Sequence, residues 1–172
     1  MTNVVIINGA NSSTSRVVGV QKYIERVVSN AESVKVHQLP AEDLISANFK
    51  SEAIIAANTL VEKAEVVIIL TPVYKAAYSG ILKTYLDLLP QKGLENKIVI
   101  PVAVGGSLHH LLAIDYALKP VLSALGATNI LQGVYILDQY IQRVGNDFIL
   151  DQEISERIDQ QLQLALGKVA VI

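Results

Sequence analysis

Three short segments carry the residue types best suited to chemistry: NGANSSTSR from Asn8 to Arg16, TPVYKAAYSG from Thr71 to Gly80, and GGSLHH from Gly105 to His110. The first offers the hydroxyls of Ser12, Ser13, Thr14 and Ser15 and a single cation, Arg16. At a helix start, such hydroxyls together with free backbone N–H groups suit a phosphate. The same residues also suit an ordinary strand-to-helix loop with a serine N-cap, and composition leaves the two open. With Gly9 as its only glycine the segment is not a dinucleotide fingerprint, and it lacks the Gly-Lys-Ser/Thr ending of a Walker loop.

The second segment suits a flat ring. Pro72 removes a backbone donor and biases Thr71 towards extended backbone. Backbone groups of Val73 and Tyr74 are then available to the edge of a heterocycle, and the Tyr74 ring can cover its face. Packing of Tyr74 and Tyr78 against another subunit is the plainer reading of the two tyrosines. Lys75 is expected in solvent, without a catalytic role. In the third segment Gly105, Gly106 and Ser107 allow close approach of backbone N–H groups to a ligand, where they could stabilise negative charge; a plain strand-to-helix turn is the alternative.

Strands and helices alternate around these loops. Val4 to Ile7, Ser33 to Gln38, Val66 to Leu70, Lys97 to Val104 and Asn129 to Leu137 read as strands. Helices are expected over Ser15–Ser29, Ser51–Lys63, Gly80–Leu89, Leu108–Leu125 and Asp151–Leu166, with Gly126 as a C-cap glycine. Continuous Val/Ile strands and intervening helices predict a parallel sheet covered on both faces, in one domain over residues 1–172. Such sheets bind ligands at the carboxyl ends of their strands, which is where the three segments fall. Asp138 to Leu150 is the least regular stretch, and its length suggests a functional or interface loop.

On a straight helix over Leu108–Leu125, Leu111, Ile114, Leu118, Leu122 and Leu125 share one face, and Tyr116, His109 and Pro120 look away from it. An outward aromatic and proline suggest a subunit contact, and Pro120 should distort the helix. His109 and His110 are adjacent, so they do not face one metal, and no metal site is expected. The chain is 51% hydrophobic and 17% charged, against an ordinary charged fraction of about a quarter. Some apolar surface is therefore expected to meet another copy. A net charge of −2 gives no reason to expect nucleic acid or an anionic membrane, and no apolar stretch approaches the ~20 residues of a membrane span. Without cysteine there is no thiolate nucleophile or disulfide, and the N-terminus lacks a signal-peptide pattern, so a cytoplasmic protein is expected.

The segments TPVYKAAYSGILKTYLDLLP and GGSLHHLLAIDYALKPVLSALGA closely resemble the flavodoxin-like NADPH-dependent FMN reductase family, in the branch supplying reduced flavin to alkanesulfonate monooxygenases. The likeness is strongest from about Glu65 to Gly133. It implies a flavodoxin-like α/β three-layer sandwich, with a five-stranded parallel sheet of order 2-1-3-4-5. It implies FMN phosphate held at Ser15 and Arg16, and the flavin ring held by Thr71, Pro72, Val73, Tyr74, Gly105 and Gly106. Tyr116 matches an inserted tyrosine that forms a π-helical bulge at a tetramer interface beside the flavin, where it would gate flavin retention. Further implications are hydride transfer from NADPH or NADH, a partner monooxygenase and a homo-oligomer, dimer or tetramer.

The first loop departs from the family pattern G-S-x-R-x-x-S-R-S: Ala10, Ser12 and Val17 replace its early serine, its arginine and its last serine. Ser13 and Thr14 are the expected substitutes, and Ser107 is expected to assist at the ring. An FMN-retaining quinone or azo reductase is the nearest alternative, and a flavodoxin-type electron carrier a more distant one. A carrier is typically strongly acidic, which −2 is not, and a phospho-acceptor domain would need acidic residues where Asn8 to Asn11 stand.

Overall fold

The computed structural model describes residues 2–169, so the ends of the expected 1–172 domain lie outside the described residues. The order is β1 (Val4–Asn8), α1 (Arg16–Val27), β2 (Ala31–Lys35), α2 (Ala41–Ile45), α3 (Glu52–Lys63), β3 (Val66–Tyr74), β4 (Ala77–Tyr78) and α4 (Gly80–Leu86). Then come β5 (Ile98–Gly105), α5 (Lys119–Ala124), β6 (Asn129–Ile130), β7 (Val134–Leu137), β8 (Ile141–Val144), β9 (Asp147–Leu150) and α6 (Gln152–Val169). The central strands are parallel in the order β2-β1-β3-β5, with β6 and β7 both alongside β5. Counting β6 and β7 as one interrupted strand, this is the expected flavodoxin-like order.

Alternation along the buried strands sends successive side chains to opposite faces. Val4, Ile6, Ile68, Ile100 and Val102 pack with Val17, Val20 and Ile24 of α1 and Ile154, Ile158 and Leu162 of α6. Val5, Ile7, Val67, Ile69 and Val99 face Ile54 and Val61 of α3, Leu82 and Leu86 of α4 and Leu122 of α5. Each face is thus sealed by helices, and only strand ends and loops remain to meet a ligand.

Several expectations are corrected. The second strand covers Ala31–Lys35 and gives way to a 3-10 turn at Val36–Gln38, rather than running from Ser33 to Gln38. The short helix α2 is additional. The fifth strand is cut by Gly133, whose φ of +79° brings the chain against Pro101. The segment 138–150, expected to be irregular, holds a 3-10 turn and the antiparallel hairpin β8–β9.

The expected helix Leu108–Leu125 is three pieces: a 3-10 turn at Leu108–His110, a π-helix at Ile114–Leu118, and α5. The wider π turn shifts the angular register of side chains. Ile114, Leu118 and Leu122 are buried as expected, but Leu111 is exposed, because it precedes that shift. Pro120 lies in the first turn of α5, where its missing N–H costs least. Gly126, at φ +89°, ends α5 as expected.

Candidate functional site

Ser15 is the N-cap of α1, its hydroxyl accepting from the Val17 amide at 3.3 Å. Extended backbone at Ser15 and the absence of an acidic residue in the first turn leave this helix end positive. Before it, Ser12 and Thr14 lie on one side of the loop with their hydroxyls 3.0 Å apart. Below the loop, the buried Asn8 carboxamide accepts from the Ala10 amide at 2.8 Å and donates to Gln21 at 2.7 Å. The loop is therefore anchored at its base and open at its crest.

The segment after Leu70 is neither a polar turn nor a helix because β3 continues through it. Val73 pairs with Tyr78 and Tyr74 with Ala77, in a hairpin turned by Lys75 and Ala76 at φ +48° and +63°. Lys75 is exposed. The hairpin is fixed from beneath by two buried hydroxyls. Thr71 donates to the Pro72 carbonyl at 2.8 Å and accepts from the Ser79 amide at 2.9 Å. Ser79 donates to the Gly9 carbonyl at 2.6 Å while capping α4 through the Leu82 amide. Tyr78 packs against the core cluster that contains Leu118 and shares the lining of a small hollow with Thr71, Ala103 and Ile114, joining the hairpin to the π-helix.

At the end of β5, Tyr135 donates to the Ser107 carbonyl at 2.5 Å. Burial raises the Tyr135 pKa, and the nearby Asp138 charge raises it further, so the phenol keeps its proton. The two glycines here do different things. A Cβ on Gly105 would lie 2.2 Å from the Tyr135 hydroxyl, whereas one on Gly106 would meet only Asp138, at 3.8 Å. Gly105 is required by the protein's own packing, and Gly106 leaves open space.

The three strand ends converge on one cleft of about 290 Å³, lined by Ser12, Thr14, Ser15, Arg16 and Val17, by Pro72, Val73 and Tyr74, and by Val104, Gly105, Gly106 and Asp138. Of the residues expected there, the structure gathers Thr14, Ser15, Arg16, Pro72, Val73, Tyr74, Gly105 and Gly106. Ser13 is exposed outside it, Ser107 caps the following turn through the His109 amide, and Thr71 is 1% exposed beneath it. Thr71 shapes the site without lining it. Ser12, one of the hydroxyls of the first loop, also lines it, and sequence reasoning missed Val17, Val104 and Asp138; the rule that selects the other strand ends would also have selected Asp138, directly after β7.

Larger hollows lie elsewhere: one of about 470 Å³ between α3 and the loop before β5, and a groove of about 450 Å³ between α4 and α5. Neither receives the carboxyl ends of the strands. Among the described residues, no group of three or more acidic or histidine side chains could hold a metal ion, and no helix is long and apolar enough to cross a membrane.

Residues 2–142 match the family model for NADPH-dependent FMN reductase. The chain belongs to that family. It is 53% identical over 107 residues to an FMN reductase (NADPH) of Pseudomonas putida, an alignment covering 62% of this chain and 54% of that protein. The chain thus matches about half the length of this relative. An NADH-dependent FMN reductase SfnE, also of Pseudomonas putida, is 34% identical over 140 residues, covering 77% of this chain and 75% of that one. In three dimensions the chain superposes on the apo form of an NADH:FMN oxidoreductase, EMOB, with a TM-score of 0.82 and 27% identity, over 95% of this chain and 87% of the other.

Proposed function

We propose that the protein is an NAD(P)H-dependent FMN reductase whose flavin occupies the cleft at the ends of β1, β3 and β5. The observation that carries this reading is the division of the cleft: hydroxyls, a helix N-terminus and Arg16 at one end, Val73, Tyr74 and Gly106 at the other. That donor set fits FMN. Ser12, Thr14, Ser15 and Arg16 would hold the phosphate, since α1 presents amides and positive charge there. The Asp138 carboxylate disfavours a phosphate at the opposite end, beside Gly106. The bound flavin would supply the redox chemistry, accepting a hydride from the nicotinamide.

The chain's own part is to orient and to polarise. The Thr71–Ser79–Gly9 bonds keep the hairpin and the first loop at a fixed spacing, and so keep the two ends of the ligand seat in register. Gly106 permits close approach of backbone to a ring edge. Steady-state NAD(P)H oxidation tests the reading: the expected rate depends saturably on added FMN and is small without it. Activity on quinones with no added FMN would favour a flavin-retaining reductase instead.

The finer reading is delivery of reduced flavin to a sulfonate-type monooxygenase by a homo-oligomer. It is supported by the resemblance of the two long motifs and by Tyr116, which is 79% exposed on the π-helix. Ile114, two residues before it on the inner side of the same helix, packs with Ala103, Tyr135 and Val73 behind the wall of the cleft. A second copy covering Tyr116 would press on that wall, which gives Tyr116 its role as a gate on flavin retention. Relatives named for NADPH and for NADH leave either donor compatible with the proposal.

A further inference from the structure

The first loop is poor in charge for a phosphate seat. Arg16 is its only basic side chain, and its Nε is already committed to the Ile141 carbonyl at 3.0 Å. A second cation reaches the loop from 129 residues away: the Arg143 guanidinium donates to the Thr14 carbonyl. We propose that Arg143 is a positioning residue of the phosphate seat, an inference that rests on the FMN reading.

The hairpin that carries Arg143 is built to hold it there. Ile141 and Phe148 are buried in the core shared with α1 and α6. Helix α1 makes room for them at Gly19, where a Cβ would lie 2.6 Å from that of Phe148. Arg143 stands directly across the hairpin from Phe148, its guanidinium 5.4 Å from the ring centroid. Lys22 approaches the same ring at 6.0 Å and donates to the Asn146 carbonyl at 3.2 Å and Asp147 at 3.3 Å. The arginine is thus braced by its strand and by an aromatic face, and α1 holds the turn of the same hairpin through Lys22, before the arginine meets the loop.

Two physical effects follow at Thr14, which lines the cleft. A carbonyl oxygen beside a phosphate repels it, and a guanidinium bonded to that oxygen offsets the repulsion. A guanidinium also has five N–H donors, of which this contact takes one, so the charge at the rim comes with further bonding capacity. The tie is reciprocal, because Arg16 of the loop holds Ile141 at the start of the same strand. Together the two arginines fasten the crest of the first loop to β8.

A titration that compares FMN with riboflavin, which lacks the phosphate, isolates this role. Flavin fluorescence on the full chain would be followed for wild type, Arg143→Gln and Arg143→Lys, with thermal melting as a check on folding. The expected result for Arg143→Gln is FMN affinity about tenfold weaker, the scale of one charge-assisted hydrogen bond, and riboflavin affinity within about twofold of wild type. Arg143→Lys, which keeps the charge, should fall between the two. FMN affinity unchanged in Arg143→Gln, or equal losses for FMN and riboflavin, would overturn the proposal while leaving the FMN reading intact. A wild type that binds no FMN would overturn that reading and the proposal with it.

Discussion

Gly105→Ala is expected to lower stability by about 3 kcal/mol, combining the cost of overpacking with the loss of one buried hydrogen bond. The added Cβ would lie 2.2 Å from the Tyr135 hydroxyl, 3.0 Å from its ring carbon and 3.4 Å from Val73. The phenol cannot swing away freely, because it holds the Ser107 carbonyl at 2.5 Å. Either the tyrosine leaves Ser107 or the end of β5 moves, and both disturb the Gly105–Ser107 turn at the cleft. Thermal unfolding should therefore shift down by about 10 °C for a chain of this length. Tyr135→Phe in the same background removes the nearest clashing atom. The double variant should recover part of the loss, whereas additive losses would show that the hydroxyl is not what demands glycine.

A larger loss is expected at Gly133. Alanine there must adopt φ +79°, and its Cβ would lie 2.1 Å from the Pro101 carbonyl oxygen and 2.8 Å from the Pro101 ring. The obstacle is backbone of a central strand, which cannot rotate out of the way as a side chain can. The strain of a left-handed alanine and the displacement of β7 from β5 together should cost about 4 kcal/mol, near the upper end for single substitutions. Denaturant unfolding would measure it. Because Gly133 lies at the start of β7, away from the cleft, FMN affinity under folding conditions should change little. A variant as stable as wild type would mean that the interruption between β6 and β7 is not held by this contact.

Neither glycine's role is legible in the sequence, whereas the sheet and the place of the cleft are. The parallel sheet follows from runs such as Val66 to Leu70, since burial on both faces leaves a continuous apolar signature. The cleft follows from the rule that ligands gather at strand carboxyl ends, and eight of the expected site residues line it. Thr71 is different: its type suggests a ligand contact, but its hydroxyl is used up by Pro72 and Ser79 beneath the loop. Which way a side chain faces at the end of a strand depends on the hairpin that follows, and the turn at Lys75 and Ala76 uses residues that seldom take positive φ.

The π-helix was reached by resemblance rather than by periodicity. A straight-helix pattern over Leu108–Leu125 places Tyr116 outward correctly and Leu111 inward wrongly, since one wide turn alters only what lies on one side of it. The hairpin β8–β9 was hidden for another reason. Its strands have four residues each and no clean apolar–polar alternation, with Val144 and Ile149 exposed, and only contact with α1 makes Ile141 and Phe148 core residues. Arg143 therefore carried no signal as a partner of the first loop until the two were brought together in space.

The central claim is that one cleft, floored by Gly106, seats the flavin ring. Equilibrium titration of FMN onto wild type and Gly106→Val tests it without relying on turnover. A Cβ at Gly106 meets no protein atom closer than 3.8 Å, so the variant should fold and melt as wild type does. Its side chain would nevertheless occupy the cleft. The expected result is FMN binding to wild type and an affinity at least about tenfold weaker in the variant, a difference of about 1.4 kcal/mol or more. A folded Gly106→Val that binds FMN as tightly as wild type would contradict a flavin seated on this glycine.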